Sequence, residues 1–314
     1  MRAIQIDQYG KADLLQIRDI PKPSFKTNEV LVGVQYSGVN PIDLKFRSGK
    51  MQQQISKTFP FIPGWELAGI VDKVGDSVKR FKVGDAVYSM PNSMQEGSYA
   101  EYISIDENEV AMKPETISFA QAAAIPMVAG AAYTSLVKVG KIKPGQKILI
   151  HGAAGAVGFF AVQIAKNEGA YVIGTASSEG VDLLQSLGVD EIIDYTKTDF
   201  TTVVKNVDIV LDLVGGETQL KSFDVIKKGG QLISITMPPS QEKAEGAGIN
   251  AVFVYTNPDY EMLEEISAMI DNGKLKVNTP MILPLDDAIK AHEMIEQRTA
   301  KTKIVLDVKN NNFQ

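Results

Sequence analysis

Lys147-Ile-Leu-Ile-His-Gly-Ala-Ala-Gly-Ala-Val-Gly158 decides the fold, because a short apolar strand runs into a glycine-rich turn and then into the helical pattern of residues 159–167. This is the arrangement that seats a dinucleotide pyrophosphate. The turn must be tight, the backbone must approach the phosphates, and the next helix must pack close to the strand, so bulky side chains are excluded. Gly155 and Gly158 meet the last two demands. Ala153 stands where the usual G-x-G-x-x-G has its first glycine, with Gly152 just before it. Such a string also serves plain strand-to-helix packing, so the strand before and the helix after carry the reading. Gly152, Ala154, Gly155, Ala156 and Val157 are the expected phosphate contacts.

Working outward, apolar strands at 148–151, 171–175, 191–194, 208–213 and 231–235 alternate with helical stretches, among them 218–227. Repeated βα units with nearly continuous apolar strands indicate an α/β fold with a doubly wound parallel sheet. The polar, glycine-bearing stretch 238–248 reads as a mobile loop, and 260–272 as an amphipathic helix stopped by Gly273. Before the sheet, short strands at 2–6, 29–37, 68–74, 86–90, 98–103 and 109–113 are punctuated by Gly and Pro, as in a β-rich barrel-like domain. Residues 119–125 and 128–139 are alanine-rich and helical in pattern. The strand at 304–308 has no helix after it and is placed back in the β-rich domain, with 310–314 as a frayed tail. The expected division is 1–122 with 256–314 for the β-rich domain and 123–255 for the sheet.

A chain of 314 residues, 44% hydrophobic and 22% charged, has the makeup of a globular protein with a real core. The net charge of −6, with acids and bases interspersed, leaves no basic face to neutralise nucleic-acid phosphates. There is no cysteine, and His151 and His292 are the only histidines, so a zinc site of imidazole and thiolate is nearly impossible. No window reaches the ~18 apolar residues of a membrane span. The first residues alternate like a strand and lack the apolar run of a signal peptide. A cytoplasmic protein with no membrane and no nucleic-acid partner is expected.

Choice of cofactor is read at the end of the second strand, roughly 20 residues after the turn, where an acid would bond a ribose 2′-hydroxyl. Here the run is Thr175-Ala-Ser-Ser178, without Asp or Glu until Glu179. Thr175, Ser177 and Ser178 offer hydroxyls that accommodate a 2′-phosphate, which favours NADP(H). The following residues, Ser178-Glu-Gly-Val-Asp-Leu, contain no basic partner for a dianion, so a modest affinity is expected.

Five stretches occur in one order: Gly38-Val-Asn-Pro-Ile-Asp43 with Lys45, Arg47 and Gly49; Pro63-Gly-Trp-Glu-Leu-Ala-Gly-Ile-Val71; Phe81-Lys-Val-Gly-Asp-Ala-Val87; the Gly152 to Gly158 turn; and Val210-Leu-Asp-Leu-Val-Gly-Gly216. Together they resemble the medium-chain dehydrogenase/reductase superfamily, specifically its zinc-free quinone oxidoreductase-like branch, over essentially the whole chain. The resemblance implies a Rossmann domain plus a GroES-like barrel domain, and a homodimer by analogy. In the family's motif frame the metal-ligand places are taken by Asn40, Trp65 and, approximately, Met127, an amide, an indole and a thioether that cannot form a catalytic zinc site.

Without a metal to polarise the oxygen of a simple alcohol or ketone, the resemblance implies NADPH-dependent hydride transfer to a quinone or to an α,β-unsaturated carbonyl, which spread the incoming charge themselves. Protein groups then need only hydrogen-bond the developing oxyanion. The catalytic candidates are Asn40, whose alternative is a turn asparagine beside Pro41; Asp43, which also serves to tie that loop down; and Lys45, a proton donor or a solvated lysine. Tyr36 and Tyr255 are alternative donors, Trp65 is a pocket wall or plain core, and His151 is a packing residue. For the cofactor, the resemblance adds Tyr195 near the 2′-phosphate, Leu213 and Val214 near the nicotinamide ribose, Phe253 and Val254 near the nicotinamide, and Lys303 from the family's C-terminal lysine. A non-catalytic NADPH-binding regulatory or structural protein on the same fold is the alternative.

Overall fold

The strand Lys147–His151 lies in the middle of a six-stranded sheet, and four of its five residues are buried. The neighbours run outward as Tyr171–Ala176 and Glu191–Asp194 on one side, and Val207–Asp212, Ile226–Ser234 and Asn250–Phe253 on the other. Every pairing in it is parallel. Numbered within this sheet, the order is 3-2-1-4-5-6, so the chain switches sides between Lys147–His151 and Val207–Asp212. In open parallel sheets a crevice forms at the carboxyl ends of the strands at such a switch. One face of the sheet packs Leu149, Ile173, Val210 and Leu232 against Phe200 and Phe223.

The computed structural model describes residues 1–309; the tail reading of residues 310–314 lies outside them. The chain divides into one unit of Met1–Met127 with Asn257–Gln314 and a second of Val128–Thr256. The first unit is built on a mainly antiparallel seven-stranded sheet whose spine is the eleven-residue strand Glu29–Val39. That strand pairs with Leu67–Val74, with Tyr102–Asp106 and, across almost the whole sequence, with Ile304–Asp307. Its core gathers Ile4, Ile6, Phe46, Phe61, Trp65, Leu67 and Ile105.

Several elements differ from the sequence reading. Residues 238–248 are not a loop: Ser240 caps the helix Gln241–Ala247 through Lys243 N–H, and Gly248 ends it with φ +66°. Only Ala244 of that helix is buried, so it carries no apolar period to read. The helical stretch 218–227 is divided into the helix Gly216–Ser222 and the start of the strand Ile226–Ser234. The 128–139 pattern is the helix Pro126–Tyr133 followed by a wider turn, Thr134–Val139, closed by Gly140 N–H on Ser135 O. The strand expected at 98–103 begins at Tyr102, because Ser98 and Tyr99 spend their N–H groups on Gly64 and Pro63 carbonyls. Asn40, a catalytic candidate whose alternative reading is a turn asparagine, stands at the N-terminus of the helix Pro41–Arg47. Proline at the first helical position, with φ already fixed, starts that helix.

Candidate functional site

The glycine turn is built in the second unit by backbone contacts. Gly152 has φ +68°, the left-handed conformation that a side chain resists, so it supplies the tight turn that the motif frame had assigned to position 153. Ala153 is fully buried and its N–H donates to Thr175 O at 3.0 Å. Thr175 Oγ1 accepts from Gly152 N at 3.2 Å and lies 3.2 Å from His151 Nδ1, so this hydroxyl, 3% exposed, braces the turn. A Cβ on Gly158 would stand 2.4 Å from Gly152 O and 2.5 Å from Ala153 O, which no side chain allows. Gly155 caps the twelve-residue helix Ala156–Asn167 with no side chain of its own. The first-turn N–H groups of Ala156, Val157 and Gly158 have no acceptor within the helix and are aimed at whatever lies beyond its N-terminus. These features fit a pyrophosphate.

His151 is buried, with Nε2 3.0 Å from Ser222 Oγ, and burial pushes it down to about 4. It is a neutral packing residue. Across the switch point, a Cβ on Gly152 would be 3.3 Å from Val214 Cγ2, so the glycine turn and the loop after the fourth strand are neighbours. Asp212, fully buried, shapes that loop: Oδ1 accepts from Val214 N at 3.0 Å and Gly215 N at 2.7 Å, while Oδ2 accepts from Gln219 Nε2 and Ser234 Oγ, both at 2.9 Å. Val214 is left exposed. Val254 N donates to Ser234 O at 2.8 Å, and the Phe253 ring meets Tyr255 edge-on at 4.9 Å. Ser177 starts the short turn Ser178–Gly180, and Ser178 Oγ donates to Asp194 Oδ2 at 2.5 Å, next to the exposed Tyr195.

The first unit holds a buried polar knot. Asp43 Oδ2 accepts from Asn40 N at 2.7 Å and from Tyr99 OH at 3.1 Å, and the Tyr99 hydroxyl is also 3.1 Å from His292 Nε2. Burial raises the Asp43 carboxyl to about 7; burial, aided by the Arg47 charge, lowers His292 to about 3. Asn40 Nδ2 donates to Glu66 Oε1 at 2.7 Å, and Glu66 Oε2 accepts from Met127 N at 3.0 Å. Gly38 leaves room for this: a Cβ there would be 2.1 Å from Glu66 Oε1. Lys303 Nζ bonds Val39 O at 3.1 Å, Asn40 Oδ1, and Glu66 Oε1 at 2.5 Å. An ammonium has three donors, and these three acceptors occupy them.

The structure thus brings Asn40 and Asp43 together, both buried, and leaves Lys45 exposed on the same helix. Sequence reasoning missed Glu66 as the hub, although it lies inside the quoted Pro63-Gly-Trp-Glu stretch. It also missed Lys57. This half-buried lysine donates to Gln95 O at 2.6 Å, stands 5.0 Å from the Trp65 ring centroid, and is lowered to about 8 by burial. Trp65 Nε1 is buried without a hydrogen-bond partner. A zinc ion does not fit this donor set: the Asn40 oxygen already faces an ammonium, Trp65 is core, and no group of three His, Cys, Asp or Glu among the described residues could hold a metal. No helix of the described residues is long and apolar enough to cross a membrane.

Residues 26–115 match the family described as "Alcohol dehydrogenase GroES-like domain", and residues 187–306 the one described as "Zinc-binding dehydrogenase". The chain is 36% identical to the 2-methylene-furan-3-one reductase of Solanum lycopersicum, over 98% of this chain and 79% of that protein. It is 34% identical to the chloroplastic NADPH-dependent alkenal/one oxidoreductase of Arabidopsis thaliana, with the same coverage, 98% and 79%. The Escherichia coli quinone oxidoreductase solved in complex with NADPH superposes with a TM-score of 0.87 at 29% identity, covering 98% of this chain and all (100%) of that one.

Proposed function

We propose, from the premise that this chain belongs to the medium-chain dehydrogenase/reductase superfamily in its zinc-free quinone oxidoreductase-like branch, that it is an NADPH-dependent oxidoreductase reducing a quinone or an α,β-unsaturated carbonyl. The observation that carries this reading is the pairing of a glycine cradle that suits a backbone-hugging pyrophosphate with a first unit whose described residues do not fit zinc. Relatives described as acting on an enone and on an alkenal or enone support the substrate class.

When bound, NADPH supplies a hydride at C4 of its nicotinamide. The chain's part is to hold and orient. Ala156, Val157 and Gly158 N–H groups take the pyrophosphate at the helix N-terminus, and Gly152, Ala154 and Gly155 let it approach. Ser177, Ser178 and Tyr195 receive the ribose phosphate, with Thr175 acting from behind through Gly152 N. Leu213 and Val214, on the loop fixed by Asp212, and Phe253 with Val254, border the nicotinamide end. Lys303, carried over as a cofactor contact, has its three donors on Val39 O, Asn40 and Glu66 and serves the first unit's polar knot instead.

In the first unit Asn40 and Asp43 act as positioning residues that anchor the helix Pro41–Arg47. Two lysines are suited to hold the substrate oxyanion or return a proton to it: Lys45, by its exposure on that helix, and Lys57, by its lowered affinity for its proton. A cytoplasmic location and a homodimer belong to the same proposal.

The test follows NADPH absorbance with a panel of quinones and enones, with and without a chelator. Turnover unaffected by chelator supports the proposal. Tight NADPH binding with no turnover across the panel replaces it with a non-catalytic NADPH-binding protein.

A further inference from the structure

The run Ser178-Glu-Gly-Val-Asp-Leu183 contains no basic residue, yet a 2′-phosphate is a dianion that needs a charged partner. The sheet brings one in from farther along the chain. Asp194 pairs in register with Ala176, and Tyr195 N donates to Ala176 O at 3.1 Å, so the end of the third strand lies beside the Ser177 and Ser178 turn. The chain then curls back, with Lys197 N at 3.0 Å and Thr198 N at 2.9 Å from Asp194 O. This places Lys197 Nζ 2.8 Å from Asp194 Oδ2, the same oxygen that accepts from Ser178 Oγ at 2.5 Å.

The two charges are held differently. Asp194 is gripped on its other oxygen by Thr196 N at 3.0 Å and Thr196 Oγ1 at 2.6 Å, and its side chain is 13% exposed. Lys197 is 70% exposed on a four-carbon stem and pairs with that carboxylate. The Lys197 ammonium, and after it the Ser178 and Thr196 hydroxyls, hold the Asp194 carboxyl well below the usual carboxylate range, so it stays ionised. The corner therefore presents a fixed anion beside a cation free to swing.

We infer that Lys197 and Asp194 together set the preference of this chain between NADPH and NADH, with Lys197 as the cation for the 2′-phosphate and Asp194 as its counterweight; the inference rests on the NADPH reading above. A phosphate arriving at Ser178 draws Lys197 off a solvent-screened pair into a charge-assisted bond, and then faces the carboxylate that remains. A 2′-hydroxyl arriving at the same place donates to that carboxylate instead. Removing the lysine and neutralising the acid therefore act in opposite directions.

The experiment titrates the full-length wild type, K197A, K197M and D194N with NADPH and with NADH, by calorimetry at low and moderate salt. Asparagine at 194 keeps an acceptor for Thr196 and reverses the second bond, Nδ2 donating to Ser178 Oγ, and methionine at 197 keeps the apolar stem, so each charge is tested apart from its packing. Both lysine variants are expected to bind NADPH about tenfold more weakly and NADH nearly as before, with a shallower salt dependence for NADPH. D194N is expected to bind NADPH severalfold more tightly and NADH more weakly. An unchanged NADPH-to-NADH ratio in these variants, or equal losses for both cofactors, overturns the inference alone. A wild type that binds neither cofactor overturns the NADPH reading, and the inference with it.

Discussion

Replacing Asp43 with asparagine should expose a proton balance that the wild type conceals. Asp43 is raised to about 7 and His292 lowered to about 3, and the two communicate through the Tyr99 hydroxyl, 3.1 Å from each. A carboxyl raised on folding contributes stability in full below its unfolded value of 3.8, which is lost as pH rises through about 7. An imidazole lowered on folding contributes stability above its unfolded value of 6.5, which is lost as pH falls toward 3. Each contribution amounts to ~4 kcal/mol, at ~1.4 kcal/mol for every tenfold change in proton affinity. Between pH ~4 and ~6.5 the two contributions run in opposite directions and largely cancel. In D43N only the His292 contribution remains, so stability relative to wild type should fall by up to ~3 kcal/mol as pH is lowered across that window. In H292Q the Asp43 contribution remains, and the loss should appear as pH is raised. Urea unfolding read by tryptophan fluorescence is the assay, because Trp65 is the only tryptophan and is 1% exposed in the first unit's core. A D43N curve of midpoint against pH that runs parallel to the wild type would refute the reasoning.

Three other outcomes follow from the site. G158A should cost ~1–3 kcal/mol of stability in the second unit and abolish measurable NADPH binding by calorimetry, since the new methyl would meet two carbonyl oxygens, at 2.4 and 2.5 Å; normal binding would mean the cradle is looser than drawn. K303M leaves Glu66, fully buried, without its ion-pair partner and should destabilise the first unit by ~3–5 kcal/mol. The double variant E66Q/K303M should recover most of that loss in the same fluorescence assay. If Lys57 supplies the proton, the wild-type rate should fall as pH rises past about 8, and K57M should be slower overall and lack that alkaline limb. A K57M profile that retains the limb assigns it to another group.

The second unit was largely legible because its central strands are buried on both faces, and such strands appear in sequence as unbroken apolar runs. The glycine turn was legible for a related reason, since Gly158 answers to a local clash that any sequence must avoid. The helix Gln241–Ala247 was not, because a helix held by its caps and showing solvent on most sides has polar residues wherever one looks. The site in the first unit was legible as a set of motifs but not as a network. Asn40, Glu66 and Lys303 are far apart in sequence, and it takes the pairing of both Leu67–Val74 and Ile304–Asp307 with Glu29–Val39 to make them neighbours. Lys197 escaped for the same reason: a cation sought within a few residues of Ser178 arrives from the adjacent strand.

That long-range pairing has a consequence for how the chain is made. The ribosome delivers the strand Glu29–Val39 long before its partner Ile304–Asp307, whereas Val128–Thr256 emerges between them as one continuous stretch. The stretch Tyr36–Val39 of the first unit's longest strand thus waits uncovered until Ile304–Asp307 has been synthesised. Domains emerging first generally fold first; here the order is inverted, and the portion translated in the middle is the first that can be finished. During that interval the nascent chain carries an open edge of the kind that invites pairing with other chains, so slower translation between the two strands lengthens the period of exposure to aggregation.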